Sequence, residues 1–145
     1  MTASLTPLEF AALRAEVEQF YAAHLHRLDS GSAEAWAADF TADGWFHPQT
    51  LPTPVRGRAA LAAAAGDAHA KLVAANEQHR HWHGVVAVSA QEDGSVKVRC
   101  YALVFATTAG QEPRLHRTCV CEDLLVREEG ALRISQRVVT RDDMP

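Results

Sequence analysis

The chain has 145 residues, 48% of them hydrophobic, enough for one domain over 1–145 with its own apolar core. A net charge of −4 and a pI near 6.0 provide no basic surface for nucleic acid, and no run of lysine or arginine marks a membrane-facing patch. The stretch Met1-Thr2-Ala3-Ser4-Leu5-Thr6-Pro7 lacks the basic and apolar parts of a signal peptide, and nothing approaches the roughly 20 apolar residues of a membrane span, so a soluble cytoplasmic protein is expected.

In chain order, Leu13, Val17, Phe20, Tyr21, His24 and Leu28 recur at three- and four-residue steps, which predicts an amphipathic helix over about 8–28. Asp29-Ser30-Gly31-Ser32 breaks it, with Ser30 or Ser32 able to cap a second, short helix that carries Ala33, Trp36, Ala37 and Phe40 on one face. After Thr41-Ala42-Asp43-Gly44, the residues Trp45-Phe46-His47 read as a short strand, and Pro48, Pro52 and Pro54 enforce a loop. An alanine-rich third helix is expected over 58–76, with Leu61, Ala65, Ala68 and Leu72 inward.

The second half reads as sheet. Strands near 79–90, 96–107, 114–127 and 132–141 are separated by turn signals at Asp93-Gly94, Ala109-Gly110 and Glu129-Gly130. Short connections make neighbours antiparallel, so the expected class is α+β, three helices covering one face of a curved sheet. In the strand Val98 to Ala106, one face (Val98, Cys100, Ala102, Val104) suits the core. The other face, Tyr101, Leu103 and Phe105 with Trp82 one strand away, is also apolar and needs cover. A homodimer packed sheet to sheet supplies that cover; a C-terminal strand or loop folded over the face is the alternative.

The chemistry concentrates in histidines and carboxylates. His79, His81 and His83 alternate and so share one face at the mouth of a strand that continues as Val85-Val86-Ala87-Val88, apolar on both faces and expected to be buried. That arrangement fits a pocket that moves protons, and also an ordinary strand with a wet end. An H-x-H-x-H metal site is conceivable, but no Glu or Asp lies within the motif, and no metal or other cofactor is expected. Cys100, Cys119 and Cys121 are odd in number and lie in strands, which argues for buried thiols over disulfides; C-x-C without a second pair is a weak zinc signal.

Asp29 sits at a helix C-terminus, where the dipole disfavours a carboxylate by about 0.3–1 kcal/mol. It either has a function there or caps the second helix. His24 lies on the apolar stripe of the first helix, as a pocket group or as a satisfied core histidine, while His26 lies off it and is expected to be solvated. Asp123 and Arg137 fall on compatible faces of neighbouring strands, as a cross-strand ion pair or with Arg137 stabilising an oxyanion. The facing of His47 and His116 is open, because a one-residue slip reverses every side chain.

Several segments together resemble the SnoaL-like branch of the nuclear transport factor 2-like superfamily. They are Glu18-Gln19-Phe20-Tyr21, Arg27-Leu28-Asp29 with Trp36, Phe40 and Asp43, Val55-Arg56-Gly57-Arg58-Ala59-Ala60-Leu61, Arg80-His81, and the closing hairpin from Cys121 to Val139. The resemblance implies a cone of curved sheet and three helices around a deep, mostly apolar pocket. Asp29 and His81 resemble the paired aspartate and histidine of scytalone dehydratase and of the dehydrochlorinase in that group, and His24 matches a polar pocket position of the latter. The implied activity is a small cofactor-independent lyase or isomerase of dehydratase or cyclase type acting on an apolar small molecule. Asp29 would orient His81 as base and then acid, helped by His24 and Arg137. The alternative is a non-catalytic binding module or a subunit like the dioxygenase β subunits. A second histidine that scytalone dehydratase carries on the next strand is missing here, where the chain reads Val104-Phe105-Ala106.

Overall fold

Thr6 and Pro7 start the first helix as capping chemistry requires: the Thr6 hydroxyl accepts the Glu9 N–H at 3.2 Å, and Pro7 takes a first-turn position that needs no donor. A computed structural model describes all residues, Met1–Pro145. The elements are α1 (Pro7–Asp29), α2 (Ala33–Ala37), β1 (Phe40–Pro48), β2 (Val55–Arg56), α3 (Arg58–Ala74), β3 (Glu77–Ala90), β4 (Val96–Thr108), β5 (Arg114–Glu128) and β6 (Ala131–Arg141). They make an α+β fold of three helices and one curved six-stranded sheet in the order β2-β1-β6-β5-β4-β3. Pairing is antiparallel except between β1 and β6, which run parallel. No helix is long and apolar enough to cross a membrane.

The alternation of β4 sets the core. Val98, Cys100, Ala102 and Val104 are all buried, and with Val17, Tyr21, Trp36, Phe40 and Leu61 from the helical half they fill the space inside the curve. On the convex face Trp82, Tyr101 and Phe105 remain 54%, 47% and 39% exposed, and Leu103 is partly covered. β6 does not fold over them, because it lies beside β5 within the sheet.

Four local expectations need correction. Phe40 does not extend α2 but opens β1, since the Ile134 N–H donates to the Asp39 carbonyl at 2.8 Å and draws the chain onto β6. Ser32 takes the N-cap position of α2 without a side-chain capping bond, and Ser30 closes α1, its hydroxyl donating to the Arg27 carbonyl at 3.1 Å. α3 stops at Ala74, and Asn76 then turns left-handed at φ 57°, a conformation asparagine tolerates. Val85 and Ala87 are not buried, and Val88 is only half-buried: the β3–β4 register shifts between Gly84 and Ala87, Val85 adopts φ 53°, and it is 69% exposed while Val86 stays inside. A bulge of this kind re-aims side chains, and here it follows directly on the histidine row.

Candidate functional site

Asp29, the last residue of α1, and His81, on β3, meet across the mouth of the cone. Asp29 Oδ1 lies 2.6 Å from His81 Nδ1, and Asp29 Oδ2 accepts the His81 backbone N–H at 3.0 Å. Both carboxylate oxygens are engaged, which offsets the unfavourable end of the helix dipole. The Asp29 side chain is 7% exposed and that of His81 26%, so the carboxylate is enclosed while the imidazole reaches outward. A carboxylate can only accept, so Nδ1 carries the proton and Nε2, which has no hydrogen bond within the chain, is the free basic nitrogen.

His81 lies between two adjoining cavities that share Leu28, His81, Val104 and Arg117. One, of about 290 Å³, opens between α3 and β3, with Ala65, Ala68 and Leu72 on its apolar side and His69, His79 and His116 on its polar side. The other, of about 160 Å³, runs inward past Leu25, Trp36, Phe46 and Val139 to Arg137 and Arg141. His116 faces the larger cavity because the β4–β5 register shifts between Val104 and Phe105. His79, His81 and His83 share the concave side but do not gather on a common point. His79 Nε2 bonds Glu77 Oε1 at 3.0 Å, His81 turns to Asp29, and the His79 and His81 rings stand 6.4 Å apart. His47 bonds the Leu51 carbonyl through Nε2 at 3.0 Å, and His26 is exposed.

His24 and Arg137 belong to a buried polar chain beneath the smaller cavity. Arg137 donates to Asp123 through Nε (2.9 Å) and through one terminal nitrogen (2.8 Å), and Tyr21 donates to the same carboxylate at 2.9 Å. The other terminal nitrogen of Arg137 donates to His24 Nε2 at 2.9 Å, so the His24 proton sits on Nδ1, which donates to Asp39 at 2.8 Å. Arg27 closes the chain on Asp39 at 2.7 and 2.8 Å. Both His24 nitrogens are thus occupied, the residue is fully buried, and its connection to the smaller cavity runs through Arg137. Arg137 lines the smaller cavity and at the same time forms the cross-strand ion pair with Asp123.

Burial, with the Arg137 charge beside it, pushes the His24 pKa down to about 4, against the opposing bond from Asp39. Burial would raise Asp123, but the Arg137 charge holds it below the usual carboxylate range, and burial raises the Tyr21 phenol. The His24 shift gives a stability prediction. An unfolded chain binds the His24 proton near pH 6.5 and the folded chain only near 4, so stability is complete above about 6.5 and falls as pH drops toward 4. The expected loss is about 3 kcal/mol over that window. Urea denaturation from pH 7 to pH 4 checks it, and His24→Gln should flatten the slope.

Asp39, Arg27 and Arg117 were not singled out in the sequence as site residues. Asp39 reads as the tail of a short helix, and only its placement beside His24 gives it a role; Arg117 would follow from the β4–β5 register alone.

Residues 9–138 match the SnoaL-like domain. Among solved structures, Aln2 from a Streptomyces species is 35% identical with a TM-score of 0.84, covering 97% of this chain and 96% of its own. ActVI-ORFA from Streptomyces coelicolor is also 35% identical, TM-score 0.82, covering 91% of this chain and 99% of that one. A Catenulispora acidiphila protein in complex with S-DNPA is 34% identical, TM-score 0.81, covering 92% and 96%. Among curated proteins none matches. With a family match over nearly its whole length and relatives of that identity, the chain belongs to the SnoaL-like family.

Proposed function

We propose that the protein is a small cofactor-independent lyase or isomerase, of dehydratase or cyclase type, acting on an apolar small molecule such as a polyketide. The observation that carries this is the 2.6 Å Asp29–His81 bond at the junction of two cavities, with Nε2 left free. In the mechanism His81 Nε2 removes a proton from carbon or oxygen of the bound substrate, and Asp29 stabilises the resulting imidazolium without taking its proton. The same nitrogen then returns the proton to a departing hydroxide in elimination, to a second carbon in isomerisation, or to the alkoxide left by attack on a carbonyl in ring closure. Arg137 keeps one further N–H on each terminal nitrogen beyond its bonds to Asp123 and His24, enough to stabilise negative charge on a substrate oxygen. The relative that holds S-DNPA supports small-molecule binding in this fold. Incubation with hydroxy-ketones of polyketide type, followed by mass spectrometry for loss of water and by NMR for ring closure, tests the reading. Tight binding with no turnover by either the chain or its His81 variant would leave a binding module in its place.

The convex face is the proposed dimer surface, through Trp82, Tyr101, Leu103 and Phe105. Tyr101→Arg is expected to convert the dimer to monomer in light scattering at micromolar concentration, leaving the far-UV spectrum unchanged. A monomeric wild-type chain at that concentration would rule this surface out.

A further inference from the structure

We propose that His83, Cys100 and Cys121 form a binding site for a thiophilic d10 cation such as Zn2+, separate from the Asp29–His81 pair. The three residues come from three adjacent strands, β3, β4 and β5, and converge on the concave side of the sheet. Cys100 and Cys121 are direct cross-strand partners, and His83 stands one position before the Gly84–Ala87 bulge, on the same concave face. One imidazole nitrogen and the two sulfurs lie within 4.8 Å of one another. A tetrahedral zinc with bonds of about 2.3 Å to sulfur and 2.0–2.1 Å to nitrogen needs ligand atoms about 3.5–3.8 Å apart, so a contraction of roughly 1 Å closes the site.

Two further features favour a cation there. The Nδ1 atom of His83 is buried without a hydrogen-bond partner, an expensive state for an imidazole that a ligand or ion would relieve. Charge also balances: two thiolates neutralise one Zn2+, and the adjoining Asp123–Arg137 pair is neutral, so binding leaves no net charge in the core. Cys121 Sγ now donates to Asp123 Oδ1 at 3.4 Å, and on metal binding that thiol proton and the Cys100 proton leave to solvent. His83 lines the smaller cavity, which supplies an entry path. Soft sulfur donors with imidazole select zinc or a similar ion over Mg2+ or Ca2+.

The test uses the full chain, reduced and stripped with a chelator, then titrated with Zn2+ and, as a chromophoric probe, Co2+. One equivalent per chain is expected, and Co2+ should give a thiolate-to-metal charge-transfer band in the wild type. That band should persist in Cys119→Ala and vanish in Cys121→Ala, with circular dichroism confirming that each variant is folded. Absence of the band in the wild type overturns the proposal without reference to any variant. Metal retained by Cys100→Ala/Cys121→Ala but lost in His79→Ala/His116→Ala would place the ion in the histidine-lined cavity and overturn it equally.

Discussion

Asp29→Asn is expected to lower kcat by about 10²–10⁴-fold, as much as His81→Ala, although it changes a single atom of a residue that need not touch the substrate. The reason is tautomeric. The asparagine carbonyl can still accept the His81 backbone N–H, as Asp29 Oδ2 does at 3.0 Å. Its amide nitrogen then faces Nδ1 and can only donate, which moves the imidazole proton to Nε2. The nitrogen that should remove a proton would already carry one. Binding should change much less, because both cavities keep their apolar walls. The measurements are kcat and KM on a substrate found by the screen, and the His81 nitrogen shifts by NMR, which report the tautomer without any substrate. A variant that shows the switched tautomer and full kcat would remove His81 from the chemistry.

Strand positions were legible in the sequence because the signals behind them are local. The Gly94, Gly110 and Gly130 turns take φ of 86°, 80° and 82°, and β3 to β6 end within two residues of where alternation and those glycines place them. The inward set of β4 was legible for the same reason, since alternation alone decides it. Departures from regularity were not. The Gly84–Ala87 bulge, which exposes Val85, and the β4–β5 irregularity, which turns His116 into the cavity, each depend on how two strands pair, which alternation within either strand alone does not encode. The site divides along the same line. That Asp29 is out of place at a helix C-terminus is visible in the sequence, but its partner lies 52 residues on, and only family resemblance connected the two. Asp39 is 15 residues from His24 and gave no signal of its own, since a short helix followed by a carboxylate is an ordinary surface pattern.

Asp123→Ala is expected to destabilise the fold by about 3–5 kcal/mol, the largest single effect on stability outside the apolar core. Removing that carboxylate takes four hydrogen bonds from buried donors at once, two from Arg137, one from Tyr21 and a weaker one from the Cys121 thiol, and leaves Arg137, 3% exposed, without a counter-ion. The adjoining Asp39 cannot replace it, because His24 stands between them and Arg27 already holds Asp39. Replacing both members, Asp123→Leu with Arg137→Met, should cost less than Asp123→Ala alone, since no charge is then stranded and apolar volume is kept. The price of that rescue falls on the site: without Arg137 the smaller cavity loses a cation positioned to meet developing negative charge, so a stable double variant with depressed kcat is the expected combination. Urea denaturation of the wild type and the two variants checks the stability order. If Asp123→Ala costs under about 1 kcal/mol, the guanidinium has found water or another partner, and the chain from Tyr21 to Arg27 is not what holds Arg137 in place.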